Sequence, residues 1–247
     1  MNIYIYDDFL NKSKFNRVLN RVEIRLTDLG LNGKIIRLGS IKNVRDVIQN
    51  EIKNGAKTIV AVGNNQTVNK IIGSIIDNEL YGFFQKNILF SIIPIGDDNS
   101  IANSLGIKKE EEACNTLLAR RVKKIDIGLV NNYYFLNKAV IEGQDTVLEI
   151  NDYVLEPQEK GLISIYNLKS SQDDDKNLKI NPIDGKLDIY IKNKSKDFSF
   201  ISTEKLKISS KKNSLILDDV VEIKTPAEIS VIPGKLNVIV GKDRSFD

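Results

Sequence analysis

Apolar positions in the first half of the chain follow two alternating rhythms, short unbroken runs and spacings of three and four. The runs Asn2–Tyr6, Lys34–Leu38, Thr58–Val62 and Ile88–Pro94 read as strands. Between them Phe15, Val18, Leu19, Val22, Leu26 and Leu29 predict an amphipathic helix over Lys12–Leu29, which Gly30 can end. Val44, Val47, Ile48 and Ile52 line a second helix, closed by Gly55. A third is expected over Thr67–Asp77, and two more over Asn99–Leu105 and from about Lys109 to Arg121. Thr58–Val62 is almost wholly apolar, the mark of a strand buried on both faces. This alternation predicts a parallel sheet flanked by helices.

After Arg121 the rhythm changes. "KKIDIGLVNNYYFLNKAVIEG" holds two strand-like runs joined at Asn131-Asn132, and asparagine tolerates the positive φ of a tight hairpin. Further strands are expected at Leu162–Leu168, Leu187–Lys192, Leu206–Ser209, Leu215–Leu217, Val220–Ile223, Ile229–Ile232 and Leu236–Val240. The tract "KSSQDDDKN" reads as a solvated loop. The expected architecture is α/β plus all-β. A parallel-sheet α/β lobe (1–122) precedes an antiparallel β-sandwich lobe (123–247), with a cleft between.

Composition narrows the chemistry. The 36 Lys and Arg against 33 Asp and Glu leave a net charge of +3, which argues against bulk capture of nucleic acid. With no histidine, imidazole bases, imidazole metal ligands and Ser-His-Asp triads are excluded. The lone Cys114 excludes an intrachain disulfide, fits a reducing cytosol and reads as a small apolar helix residue. No apolar run approaches the roughly 20 residues that span a bilayer, and "MNIYIYDDFL" lacks the basic start of a signal peptide. The expected location is cytoplasmic, with any membrane contact peripheral. The lysines of "IKNKSKDF" would suit an anionic bilayer surface, or else guard an edge strand.

One stretch offers chemistry. In "VAVGNNQTVNKIIGSI" an apolar run breaks at Gly63, passes through polar residues and enters a helix. Such a turn presents unpaired N–H groups and a positive dipole end to an anion. An ordinary strand-to-helix loop with asparagine at positive φ would look the same.

Longer blocks set this turn in context. "VGNNQTVNKIIGSI" resembles the "GGDGTxNE" block of the diacylglycerol kinase-like lipid kinases, and "IIPIGDDNSIANSLGI" (Ile92–Ile107) is similar to their "xxPxGTGNDFARxLGI". "KIDIGLVNNYYFLNKAVIEG" resembles "xIDLGxVNGRYFLNxAxxG", and "DGKLDIYIKN" (Asp184–Asn193) resembles "DGxLDVxxV". "LDDVVEIKTPAEISVIPGKLNVIV" is similar to "xDGExxxxTPxxxxVxPxALxVxV". The blocks keep the family order and cover most of the chain. The resemblance implies ATP on the N-terminal lobe and a lipid hydroxyl that enters the cleft and accepts the γ-phosphoryl group. It assigns nucleotide contacts to Ser40, Gly63, Asn64, Asn65, Gln66, Thr67, Val68, Asn69 and Asp97. It also implies a structural Mg²⁺ on Asp184 with the carbonyls of Asn181 and Lys186, although Asp184-Gly185 would serve equally as a plain turn.

The departures fall on the groups that handle phosphate. Asn64 and Gln66 stand where the family has glycines, Asn65 where it has aspartate, and Asp97 and Asp98 where it has threonine and glycine. Side chains in the turn crowd the backbone's approach to phosphate, and a neutral amide is a poorer Mg²⁺ ligand than a carboxylate. Asp97 and Asp98 could chelate a metal, or cap the helix beginning near Asn99. Lys70 replaces a family glutamate, and the segment "YDDFLNKSKF" has no counterpart of "NPxSG". Val220 stands where the family has the glutamate that takes the hydroxyl proton, which leaves Asp219 as a neighbouring candidate or a plain turn acid; Asp145 matches a family acid that could reach the cleft, or is an exposed loop acid. Two functions stay open within the family, an active lipid kinase and an inactive homologue that binds nucleotide, lipid or a protein partner. A third, a soluble-substrate kinase related to the NAD kinases, is disfavoured by "PIGDDN" and "YFLN".

Overall fold

Four of the apolar runs form parallel strands: β1 (Asn2–Tyr6), β2 (Gly33–Arg37), β3 (Thr58–Gly63) and β4 (Leu89–Pro94). They lie in the order β2-β1-β3-β4, with Asn2 opposite both Gly33 and Thr58, and Thr58 opposite Leu89. Every residue of β3 is buried, as its unbroken apolar run requires. The computed structural model describes residues 1–39, 43–77, 88–157, 161–169, 178–193 and 198–246. Ser40, most of the "KSSQDDDKN" tract and the middle of "IKNKSKDF" lie outside the described residues.

Among the described residues the α-helices are α1 (Asn16–Asp28), α2 (Val44–Lys53), α3 (Asn65–Ile76), α4 (Ser100–Ser104) and α5 (Glu110–Ala119). α1 packs beside α5, and α2 beside α3. Leu19, Val22 and Leu26 form the buried stripe of α1, at the expected spacing. Two differences from the sequence pattern bear on the site. Residues Asp8–Asn11 and Ser13–Phe15 form short 3₁₀ turns, so the first helix begins later than expected. α3 begins at Asn65, two residues before Thr67, which places Asn65 and Gln66 in its first turn. Among the described residues no helix is long and apolar enough to cross a membrane.

This first unit comprises Met1–Lys124 together with Leu236–Arg244. The chain leaves it along β5 (Val122–Val130) and folds a second unit from Ile125 to Lys235. Asn131-Asn132 makes the expected hairpin, with Val130 opposite Tyr133 of β6 (Tyr133–Phe135) and Asn131 at φ 51°. Then follow β7 (Lys138–Glu142), β8 (Thr146–Ile150), β9 (Tyr153–Leu155), β10 (Gly161–Tyr166), β11 (Leu187–Asn193), β12 (Phe198–Thr203), β13 (Lys205–Ser210), β14 (Leu215–Leu217), β15 (Val221–Ile223) and β16 (Ala227–Ile239). One antiparallel sheet runs β12-β11-β10-β7-β14-β15. The other antiparallel layer joins β9, β8 and β13 to the first part of β16. Leu148, Ile208 and Ile229 from that layer share one core with Ile163, Ile189 and Leu215 from the six-stranded sheet.

β16 merges the two strands expected at Ile229–Ile232 and Leu236–Val240, running through Pro233 and Gly234 without a break. Its first part pairs with β13, and Val238 pairs in parallel with Phe90 of β4.

Candidate functional site

In the first unit, β1 is central: the chain goes to one side of it for β2 and to the other for β3. The carboxyl ends of β1 and β3 therefore flank a topological switch point, where open α/β sheets bind ligands. The loops leaving β1, β3 and β4 converge there. Ile95 N donates to Gly63 O at 3.0 Å, Asp7 N to Val62 O at 3.2 Å, and Asn65 N to Asp98 O at 3.0 Å. Gly96 lies against the Phe9 ring, where a β-carbon would sit at 3.1 Å.

Gly63 has φ +154°, and a β-carbon there would run into the Thr67 side chain. No other residue fits this position. Asn64 is in extended conformation and Gln66 is helical, so neither needs glycine for its own backbone. Asn64 instead acts as the N-cap of α3: its Oδ1 accepts from Thr67 N at 3.4 Å, and Thr67 Oγ1 accepts from Asn64 N at 3.2 Å. This reciprocal capping box satisfies donors that a helix start otherwise leaves open. Asn65, 2% exposed, uses both ends of its amide. Its Nδ2 donates to Ser100 Oγ at 2.9 Å and its Oδ1 accepts from Ile101 N at 3.2 Å. A carboxylate at this position would have no N–H to offer Ser100.

Val68 is buried, Gln66 is exposed, and Asn69 is half-buried with an enclosed Nδ2 that has no partner among the described residues. Asp97 and Asp98 are exposed, and Asp98 has φ 59°, a backbone state that explains glycine at this position in the resembling block. The cap of α4 is Asn99, whose side chain turns back to Gly96 O.

Asp7, at the end of β1, is 3% exposed. Its Oδ2 accepts from Thr67 Oγ1 at 2.7 Å and pairs with Lys70 Nζ at 3.3 Å. Its Oδ1 accepts from Asp8 N at 2.6 Å. The sequence reading passed over Asp7; an acid directly after an apolar strand was the available signal.

In the second unit, Asn181, Asp184 and Lys186 share one exposed turn. Asp184 Oδ1 accepts from Lys186 N at 3.0 Å, and Asn181 Oδ1 lies 3.4 Å from Ile183 N. The turn is held by a residue not singled out from the sequence. Asp126, buried between the apolar neighbours Ile125 and Ile127, accepts from Gly185 N at 2.8 Å and from Gly234 N at 2.6 Å. Among the described residues no group of three or more acidic or cysteine side chains could hold a metal ion.

Asp219 is exposed at φ 60°. Beside it Asp218 is fully buried, with Oδ2 accepting from Leu136 N and Oδ1 from Asn137 N, both at 2.8 Å, and Oδ1 also from Lys138 N at 3.0 Å. Burial pushes its carboxyl up to about 6, against the pull of these three N–H groups. Cys114 is enclosed, and burial raises its thiol to about 11, which removes it as a nucleophile.

Sequence comparison matches residues 3–130 to the diacylglycerol kinase catalytic domain. A probable lipid kinase YegS-like protein of Alcanivorax borkumensis is 32% identical over 92 residues, which cover 37% of this chain and 29% of that protein. A diacylglycerol kinase of Bacillus subtilis is 33% identical over 85 residues, covering 33% of this chain and 25% of that protein. Each aligned stretch thus spans less than half of the relative. In three dimensions the fold is similar to a diacylglycerol kinase from Bacillus anthracis, at TM-score 0.79 and 16% identity, covering 98% of this chain and 97% of the other. An NAD kinase from Archaeoglobus fulgidus in complex with ATP is similar at TM-score 0.59 and 11% identity, covering 98% and 94%.

Proposed function

The chain belongs to the diacylglycerol kinase catalytic domain family, and from that premise we propose a member that binds lipid without transferring phosphate. One observation carries this reading: the start of α3 is closed on the chain itself. The Asn65 N–H is taken by the Asp98 carbonyl and the Thr67 N–H by the Asn64 side chain. Backbone donors at such a turn are what a triphosphate would need. A buried carboxylate, Asp7, stands beside them and would repel phosphate oxygens.

These residues do not fit ATP with Mg²⁺. Asn65 is committed to Ser100 and Ile101, and Val220 cannot take a proton from an attacking hydroxyl. Of the two substrates that the relatives' names imply, the lipid is the one these contacts leave untouched.

Phosphate transfer from radiolabelled ATP to diacylglycerol in mixed micelles, with Mg²⁺ and with Mn²⁺, tests the reading. The expected result is no product above the protein-free blank, together with retention of the protein on diacylglycerol-containing vesicles. Labelled phosphatidic acid would overturn it. One observation favours the second reading, ATP-dependent phosphorylation of a lipid hydroxyl. Asp219 is exposed on a turn that Asp218 pins, so its carboxylate is available as proton acceptor. On that reading Asp219→Ala abolishes the labelled product.

A further inference from the structure

The Asp7 carboxylate sits among donors drawn from the segment after β1 and from helix α3. Capping of the 3₁₀ turn Asp8–Asn11 explains one of its oxygens, Oδ1, which accepts from Asp8 N. It does not explain the other. Oδ2 is held by the Thr67 hydroxyl at 2.7 Å and the Lys70 ammonium at 3.3 Å, both on α3. A hydroxyl, an ammonium and a backbone N–H converging on one nearly buried anion is a donor set suited to any oxyanion. The carboxylate is fixed there by its own backbone, with Asp7 N bonded to Val62 O at 3.2 Å and Asp7 O to Leu10 N at 3.1 Å.

We propose that Thr67, Lys70 and the Asp8 amide form an oxyanion niche that Asp7 occupies in cis, and that removing this carboxylate opens the niche to a phosphate group. The niche rests on the closed-turn reading above and adds the identity of the group that fills it. Lys70 gives the arrangement its charge logic. The ammonium is half exposed and neutralises Asp7, and without Asp7 it is a cation facing a vacated anion position.

Titration calorimetry with inorganic phosphate and, separately, with metal-free ATP tests this on the unaltered chain, Asp7→Ala, Asp7→Asn and the double variant Asp7→Ala/Lys70→Ala. Charge-assisted hydrogen bonds are strong enough that phosphate affinity of Asp7→Ala should rise by about tenfold or more over the unaltered chain. Asp7→Asn should gain less, and the double variant should lose the gain. Binding of phosphate but not ATP supports a niche for a single phosphate group; binding of both supports one that also admits a nucleotide's phosphoryl end.

A folded Asp7→Ala that binds phosphate no better than the unaltered chain overturns the proposal, as does a gain that survives loss of Lys70. If Asp7→Ala does not fold, Asp7→Asn decides. If neither folds, Asp7 is a structural residue and the proposal fails. Phosphate transfer by the unaltered chain would defeat the proposed function without deciding this comparison of affinities.

Discussion

Asp7 in the first unit and Asp218 in the second are both buried carboxylates next to turns, yet their partners differ in kind. Asp7 is held largely by side chains, the Thr67 hydroxyl and the Lys70 ammonium, at the topological switch point of the sheet. Asp218 is held by three backbone N–H groups of Leu136–Lys138. Side-chain partners can be exchanged for a ligand without disturbing the main chain. Backbone donors in a closed core cannot be left empty, since each unmet N–H costs its desolvation. The difference separates a carboxylate whose partners could be traded for a ligand from one whose partners could not, although both look alike as acids in the sequence.

The largest expected effect comes from Asp218→Ala, which removes the acceptor from three N–H groups at once. Urea denaturation should show a loss of about 4 kcal/mol. A loss no larger than that of an ordinary surface substitution would break the contrast with Asp7.

The next effect is one of pH. Burial raises the Asp218 carboxyl from 3.8 to about 6, so the folded chain holds this proton more tightly than the unfolded chain. Its contribution to stability is therefore full below about pH 4 and is lost as pH rises through about 6. Stability of the unaltered chain minus that of Asp218→Ala, followed from pH 4 to 7, should fall across this window. A difference that stays level would show that the N–H groups, not burial, control the carboxyl.

The smallest effect is expected at the turn itself. Asn64→Ala removes the N-cap of α3 and should lower thermal stability by about 1 kcal/mol, without the collapse expected at Asp218. An effect as large as that of Asp218→Ala would mean that the turn carries the fold and is not free to trade partners.

Much of the first unit was legible because its signals are local. The strands and the α1 stripe each follow from spacing within one segment, as does the Asn131-Asn132 hairpin of the second unit. β8, β9 and β12 were not expected, since "TVLEI", "YVL" and "FSFIST" are short and show no strong alternation. The merging of two expected strands into β16 was equally hidden, because a Pro-Gly pair normally reads as a break. At the site, the sequence marked a turn from Gly63 that leads into a helix at Thr67. It gave no sign that Asn65 bonds Ser100, or that Asp126 holds Gly185 and Gly234.

By itself, then, the sequence determined most strands and helices of the first unit, the turn that begins at Gly63 and the absence of histidine chemistry. Tertiary structure decided which polar groups meet. Asp7 and Thr67 are 60 residues apart, and nothing local to either specifies the other. The physical reason is one of range. Apolar periodicity is written into each segment because every turn of helix or step of strand must bury the same face. A hydrogen bond between loops exists only once the strand order has brought those loops to one edge of the sheet.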